Sequence, residues 1–136
     1  MNSYETLAEK LDALPNGYPP TEDGAHLRLL EKIFTPQEAE MAAQLNAEPE
    51  PLRTIAERVG REPKELRQTL KEMAKRGLIT IKIKDRSDHY GLMPFVVGIY
   101  EYQAGSIDKE MAELFEDYYQ KAFVDVMRWR SQGHII

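Results

Sequence analysis

The chain has 136 residues, of which 42% are hydrophobic and 30% charged, a composition that suits one folded domain and argues against a disordered chain. It contains no cysteine, which excludes disulfides, thiol nucleophiles and cysteine-bound metals or iron–sulfur clusters from these residues. Together with the missing cysteine, the lack of a membrane-length apolar run and of a signal-peptide pattern predicts a cytoplasmic protein with no membrane association. The net charge of −5 argues against nonspecific coating of nucleic acid by the whole surface.

The first half of the chain predicts three helices and a spacer. A short amphipathic helix is expected over residues 3–14, because its apolar residues recur at helical spacing. Thr21 is expected to cap a second helix. The run from Thr35 to Glu38 has the form of a capping box with proline at the first helical position, and so starts a third. Residues 48–51, Glu-Pro-Glu-Pro, predict a rigid acidic spacer.

The stretch from Leu52 to Met93 predicts a winged helix-turn-helix. One helix ends at Gly60, which tolerates a left-handed backbone, and the next begins at Pro63, whose missing N–H is not needed there. Gly77 closes this second helix. Three isoleucines then alternate with polar residues, which predicts a strand with one buried face: Ile79, Ile81 and Ile83 against Thr80, Lys82 and Lys84. Residues 85–88 form a polar tip, and residues 89–93 return as a second strand.

Positive charge is concentrated in this stretch. Between Arg53 and Arg86 there are eleven Lys and Arg against five Asp and Glu, whereas the rest of the chain has seven against eighteen. This asymmetry predicts a basic docking face on an acidic body.

The second helix of the motif has a polar side opposite Leu66, Leu70 and Met73. That side is predicted to enter the major groove of double-stranded DNA, with the wing cations on the minor groove or the backbone. The candidate DNA-binding residues are Lys64, Arg67, Gln68, Lys71, Lys75, Lys82, Lys84 and Arg86. The alternative is an ordinary solvated face.

The C-terminal part predicts a helical extension over residues 94–130. Pro94 favours a helix for the apolar segment that follows, although its Val, Ile and Tyr content also suits a buried strand. A break is expected at residues 104–106, and then an amphipathic helix of about six turns. Its aromatic side is predicted to form a homodimer. The candidate interface residues are Ile107, Met111, Leu114, Phe115, Tyr118 and Phe123. The alternative is a monomer whose last helix folds onto its own N-terminal helices.

No catalytic or metal-binding pattern is present. His26, His89 and His134 are scattered without metal-ligand spacing, and no phosphate loop or nucleophile elbow occurs. The sequence therefore predicts a protein that is not an enzyme and holds no cofactor in these residues.

Two resemblances follow from these motifs. The run IAERVG…LRQTLKEMAKRGLI, with its lysine-bearing wing, resembles the winged-helix modules of bacterial and archaeal transcription regulators of the multiple-antibiotic-resistance and arsenic-repressor types. More of the chain, from about Leu7 to Phe123, resembles the N-terminal region of anaerobe proteins described as 4Fe–4S ferredoxins, through LAEKLDALPNGYPPTEDGAHLRLLEKIFTPQEAEMAAQL, PFVVGIYEYQ and MAELFEDYY.

The second resemblance implies a partner. In the ferredoxin-type family a winged-helix portion precedes a cysteine-rich cluster domain, so a 4Fe–4S cluster could be held only by a domain outside these residues. The chain is then either the front piece of a longer polypeptide or a form that lacks the cluster domain. Its ending, Gly133 to Ile136, favours a truncated piece.

The expected fold is mainly α with a small β-hairpin wing. It is a single winged-helix domain over 1–136, with a core at 21–93, an N-terminal helix at 3–14 and the C-terminal extension at 94–130. The expected function is a DNA-binding module of a transcriptional regulator. The alternative is a non-catalytic docking module at the N-terminus of a ferredoxin-type redox protein.

Overall fold

Helices dominate residues 2–105 and 107–131, which are the residues that this computed structural model describes. The helices are α1 (Ser3–Asp12), α2 (Ala25–Ile33), α3 (Pro36–Ala42), α4 (Leu52–Val59), α5 (Pro63–Lys75), α6 (Tyr100–Ala104) and α7 (Lys109–Ser131). The strands are β1 (Glu50–Pro51), β2 (Ile79–Lys84) and β3 (Ser87–Leu92), in the antiparallel order β1-β3-β2. The prediction of a mainly α protein with a small β-hairpin is therefore confirmed. Across the described residues, no helix combines the length and the apolar character needed to cross a bilayer.

The N-terminal helices begin mostly where the local signals place them. α1 starts at a capping box between Asn2 and Glu5. The predicted capping box between Thr35 and Glu38 is present at the start of α3. The predicted cap at Thr21 is wrong, because α2 begins only after Gly24, whose φ of 79° makes the turn.

The predicted acidic spacer before α4 is also wrong in part. Glu50 and Pro51 form β1, which pairs with Tyr90 and His89 of β3. The Glu50 carboxylate is held by the Arg58 guanidinium at 2.9 Å. The chain just before α4 is therefore fastened to the sheet.

The hairpin of β2 and β3 is longer and less covered than expected. Its turn consists of Asp85 and Arg86, both at positive φ, so that β3 begins at residue 87 and not at residue 89. The predicted buried face holds only at the base: Ile79 is 1% exposed, but Ile81 is 40% and Ile83 is 67% exposed. The cause is that α4 and α5 cover the base of the hairpin, and its outer half extends beyond them.

The C-terminal part is helical, so the alternative of a buried strand after Pro94 is wrong. A π-helical turn, Phe95–Ile99, leads into α6, which ends at Ala104 as the predicted break requires; Ser106 lies outside the described residues. α7 is the predicted long helix and packs against α2. A cluster of rings fills the space between α7, the π-helical turn and the loop before α2: Tyr18, Phe95, Tyr100, Phe115 and Tyr118.

Candidate nucleic-acid interface

α5 is a helix with one buried side and one open side. Pro63 occupies its first turn, and the Glu62 side chain caps it by accepting a hydrogen bond from the Glu65 N–H at 3.1 Å. Three buried side chains fix its orientation against the core: Leu66, Leu70 and Met73.

The open side of α5 carries the predicted cationic residues. The four cations and one glutamine on this side are all exposed. We call them the α5 outer face: Lys64, Arg67, Gln68, Lys71 and Lys75. Lys71 approaches the half-buried Asp88 carboxylate, with its Nζ 3.8 Å from Oδ2. Within the described residues, no ion pair joins Lys64, Arg67 or Lys75 to a carboxylate. α7 packs elsewhere and leaves this face open.

A cleft of about 820 Å³ adjoins the α5 outer face. It lies between the first turn of α4, the middle of α5 and the hairpin turn, and we call it the cationic cleft. The residues that line it are Pro51, Leu52, Arg53, Thr54, Pro63, Arg67, Lys71, Arg86, Ser87 and Asp88. The side chains of Arg53, Arg67, Lys71 and Arg86 make its walls positive, and Asp88 opposes them.

A buried tyrosine holds Asp88 in place. The Tyr90 hydroxyl donates to the Asp88 carboxylate at 3.1 Å. Burial and this hydrogen bond raise the pKa of Tyr90 to about 12, although the positive charge of Arg67 acts in the opposite direction. Tyr90 therefore stays protonated at neutral pH and keeps donating, so that Asp88 is positioned to hold Lys71 against the hairpin.

The start of α4 adds to the positive character of the cleft. Pro51 occupies the N-cap position and offers no side-chain acceptor to the first N–H groups of the helix. These donors and the positive end of the helix dipole therefore face the same space as Arg53. An anion in the cleft would meet guanidinium, ammonium and backbone N–H groups together.

The hairpin divides the predicted wing cations into two groups. Arg86 lies at the turn and lines the cationic cleft. Lys82 and Lys84 alternate with Ile81 and Ile83 along β2. The two lysines therefore project from the face of the hairpin opposite the isoleucines. The structure thus brings Arg67, Lys71 and Arg86 together, and it places Lys82 and Lys84 on a second surface.

Arg53, Asp88 and Tyr90 belong to this site but are not among the predicted site residues. Arg53 could have been found from its place in the first turn of α4, directly after the prolines that precede the helix. The prediction from sequence places Asp88 in the polar tip and so misses its link to Tyr90. Asp88 belongs to β3, where residues two apart share a face.

The predicted dimer interface is partly used within the chain itself. Phe115 and Tyr118 are 4% and 2% exposed, and Tyr118 donates its hydroxyl to the Pro19 carbonyl at 2.8 Å. Met111 and Leu114 are half-buried, whereas Ile107 is 37% exposed. The side chain of Phe123 lies outside those that the structure describes. A contact between copies could therefore use Ile107 and its neighbours, but not the two buried rings.

Comparison with known proteins gives a match to a family over part of the chain. A family model described as HVO_A0114 matches residues 33–90, from the end of α2 to the middle of β3. The matched segment contains α4, α5 and the hairpin turn, and so includes the cationic cleft. No curated protein and no solved structure matches the chain.

Proposed function

We propose that the chain is a DNA-binding module of the winged helix-turn-helix type, and that it serves a transcriptional regulator. In this arrangement α4 and α5 form the helix-turn-helix and the β2–β3 hairpin is the wing. The observation that carries the proposal is that the α5 outer face is open and continuous with the cationic cleft.

The proposed contacts follow from the chemistry of the side chains. α5 enters the major groove, where Arg67 and Gln68 have the donors to bind base edges. Lys64, Lys71 and Lys75 meet phosphates along the groove, and Arg53 and Arg86 meet them across the cleft. The acidic remainder of the chain repels the duplex from other sides, which favours one orientation of approach.

The first test is the salt dependence of binding. With about five phosphate contacts, log affinity should fall against log salt with a slope of about −4 to −5. Fluorescence anisotropy with a random pool of labelled duplexes, from about 50 to about 200 mM salt, measures this slope. If no binding occurs at the lowest salt concentration, the chain does not bind DNA in this way.

The second test separates the site from overall charge. Arg67→Ala should weaken binding to a selected sequence by about 1–3 kcal/mol and relax base preference. The matched control is Lys109→Ala, which removes an exposed cation from the first turn of α7. If both variants lose the same affinity, the binding depends on net charge and not on the α5 outer face.

Pairing of two copies is part of the proposal. Dimeric helix-turn-helix proteins place two recognition helices one DNA turn apart. The exposed side chain of Ile107 at the entry to α7 supports a contact there, since large apolar side chains at the surface often mark such contacts.

The second candidate function is a docking module without DNA, which holds a redox domain or another subunit. It is favoured by the acidic composition outside residues 53–86, where there are seven Lys and Arg residues and eighteen Asp and Glu residues. The partner would be a 4Fe–4S domain in the same polypeptide. Cysteine clusters beyond Ile136 in the natural reading frame, combined with no effect of Arg67→Ala on any binding, would favour docking over DNA.

A further inference from the structure

Ile83 is a large apolar side chain that the protein leaves open to water. It is 67% exposed near the end of β2, and its neighbour on the same face, Ile81, is 40% exposed. Ile79 continues this face but is buried at the base of the hairpin. An exposed apolar stripe that leads outward along a hairpin is costly unless something covers it.

The charges around Ile83 indicate what covers it. Arg86 occupies the adjoining turn, and Lys82 and Lys84 precede and follow Ile83 but project from the opposite face of β2. Asp88 lies beside Ile83 across the hairpin, but its carboxylate is occupied by Tyr90 and Lys71. The two faces of the hairpin tip together are therefore cationic, apart from the exposed Asp85, and complementary to a polyanion.

A second copy of the chain is a poor occupant for this surface. β2 is the edge strand of the sheet, and pairing two such edges would bring Lys82 and Lys84 of both copies together. Like charges at a strand edge disfavour that pairing. The occupant must be negatively charged and must also cover an apolar side chain. A nucleic-acid duplex does both, because it offers phosphates to the cations and stacked bases to Ile83.

We propose that Ile83 is a wedge that enters the minor groove of the bound duplex and partly unstacks one base step. This inference rests on the proposed DNA-binding function. With α5 in the major groove, the hairpin on the other side of the cationic cleft reaches the neighbouring minor groove. Arg86 at the adjoining turn holds a flanking phosphate while Ile83 inserts, which kinks the duplex toward the major groove. Lys82 and Lys84, on the opposite face of β2, add to the positive potential around the tip.

The experiment uses a duplex of about 25 base pairs, selected by the full chain from a random pool. The fluorescent base 2-aminopurine is placed at successive positions along it. We expect the wild-type chain to raise the fluorescence several-fold at one base step, on the side of the major-groove contacts where the hairpin lies. Flexible pyrimidine–purine steps should be preferred at that position. End-to-end energy transfer on the same duplex should report a bend.

The variants separate insertion from charge. Ile83→Ala should abolish both the fluorescence rise and the bend, and it should weaken binding by roughly three- to thirtyfold. Ile83→Leu should keep the fluorescence rise, the bend and the wild-type affinity. Tyr102→Ala is the control, since it removes another exposed large apolar side chain, from α6 and away from the hairpin. Because Ile83 is mostly exposed, Ile83→Ala should unfold at the same temperature as the wild type, which checks that the hairpin is intact.

The outcomes distinguish the wedge from the proposed function. If Ile83→Ala binds, bends and unstacks like the wild type, the wedge is wrong, the proposed function stands and the stripe is assigned to a protein contact. If the wild type binds without any fluorescence rise, the wedge is also wrong. If the wild type does not bind the random pool at low salt, the proposed function fails and the wedge fails with it.

Discussion

At the scale of single residues, Asp88 opposes the charge of the cleft that it borders. It draws Lys71 toward the hairpin and away from the open side of α5. Asp88→Asn removes one negative charge and releases Lys71, while the Tyr90 hydroxyl can still donate to the amide oxygen.

We therefore expect Asp88→Asn to strengthen DNA binding. Lys71 should then meet its phosphate without sharing its charge with Asp88, which should steepen the salt slope by up to about 0.9 and tighten binding by up to about tenfold at about 0.1 M salt. The control is Glu113→Gln, which makes the same change in net charge on the exposed side of α7. Equal tightening in both variants would show that only net charge matters.

Two glycines form a matched pair for testing what a helix end requires. Gly60 and Gly77 follow α4 and α5 at φ of 70° and 75°. A Cβ at Gly60 would meet no atom within 4 Å, whereas a Cβ at Gly77 would overlap Cβ and Cγ of Tyr102. The backbone conformation is the same, so the difference between the sites is packing.

Gly60→Ala should lower the free energy of unfolding by about 1 kcal/mol, which is the cost of a left-handed alanine. Gly77→Ala should lower it by about 2–4 kcal/mol, because overpacking against α6 adds to that cost. Urea unfolding measures both values. If the two losses are equal, Tyr102 does not pack on Gly77 as described.

At the scale of elements, an ion network fastens α7 to the segment before α2. Lys121 contacts Asp23 and lies 2.7 Å from Asp117, and Arg28 lies 3.3 Å from both carboxylates. The hydrogen bond from Lys121 is the main cause that holds the pKa of Asp23 and of Asp117 below the usual range. Carboxylates with a depressed pKa stabilise the folded state above their unfolded pKa of about 4.

That stabilisation should be lost as the pH falls below about 4 and through the depressed pKa values. In Lys121→Gln the urea midpoint should therefore decrease less between pH 7 and acid than in the wild type. Lys109→Gln, an exposed position on the same helix, is the control and should match the wild type. If the acid sensitivity of Lys121→Gln is unchanged, the network does not stabilise this packing.

Local signals and distant contacts explain which elements could be predicted. The capping box at Thr35, Gly60 at a helix end and Pro63 at a helix start act within one turn, so the sequence predicts them correctly. Exposure of Ile81 and Ile83 could not be predicted, because alternation along a strand does not show where the covering helices end. β1 is also invisible in sequence, since two residues acquire strand geometry only by pairing with β3.

In the candidate site, too, some features follow from local signals and others from distant contacts. The polar side of α5 follows from helical spacing and is open as predicted. The division of Arg86 from Lys82 and Lys84 depends on the hairpin turn, which ends two residues earlier than the polar run at residues 85–88 suggests. The contribution of Arg53 requires the fold, because it comes from another helix.

At the scale of the whole molecule, the described part of α7 packs on its own chain and leaves a limited surface for a second copy. If pairing uses the entry to α7, Ile107→Lys should shift a dimer toward monomer without lowering thermal stability. Phe115→Ala should instead lower the free energy of unfolding by about 3–5 kcal/mol, since Phe115 is buried within the chain. Analytical ultracentrifugation and urea unfolding separate these effects. A wild type that is monomeric at about 0.1 mM would exclude a dimer with a Kd near 1 µM.

The attachment of β1 to β3 has a consequence for recognition. The chain that enters α4 is paired to the hairpin, and the Leu92 N–H donates to the Asn46 carbonyl at 2.8 Å beside it. The hairpin base and the two helices are therefore preorganised at one spacing before any ligand arrives. A ligand that bridges them need not order a mobile arm, so little conformational entropy is lost on association and tight binding can be reached with a modest contact area.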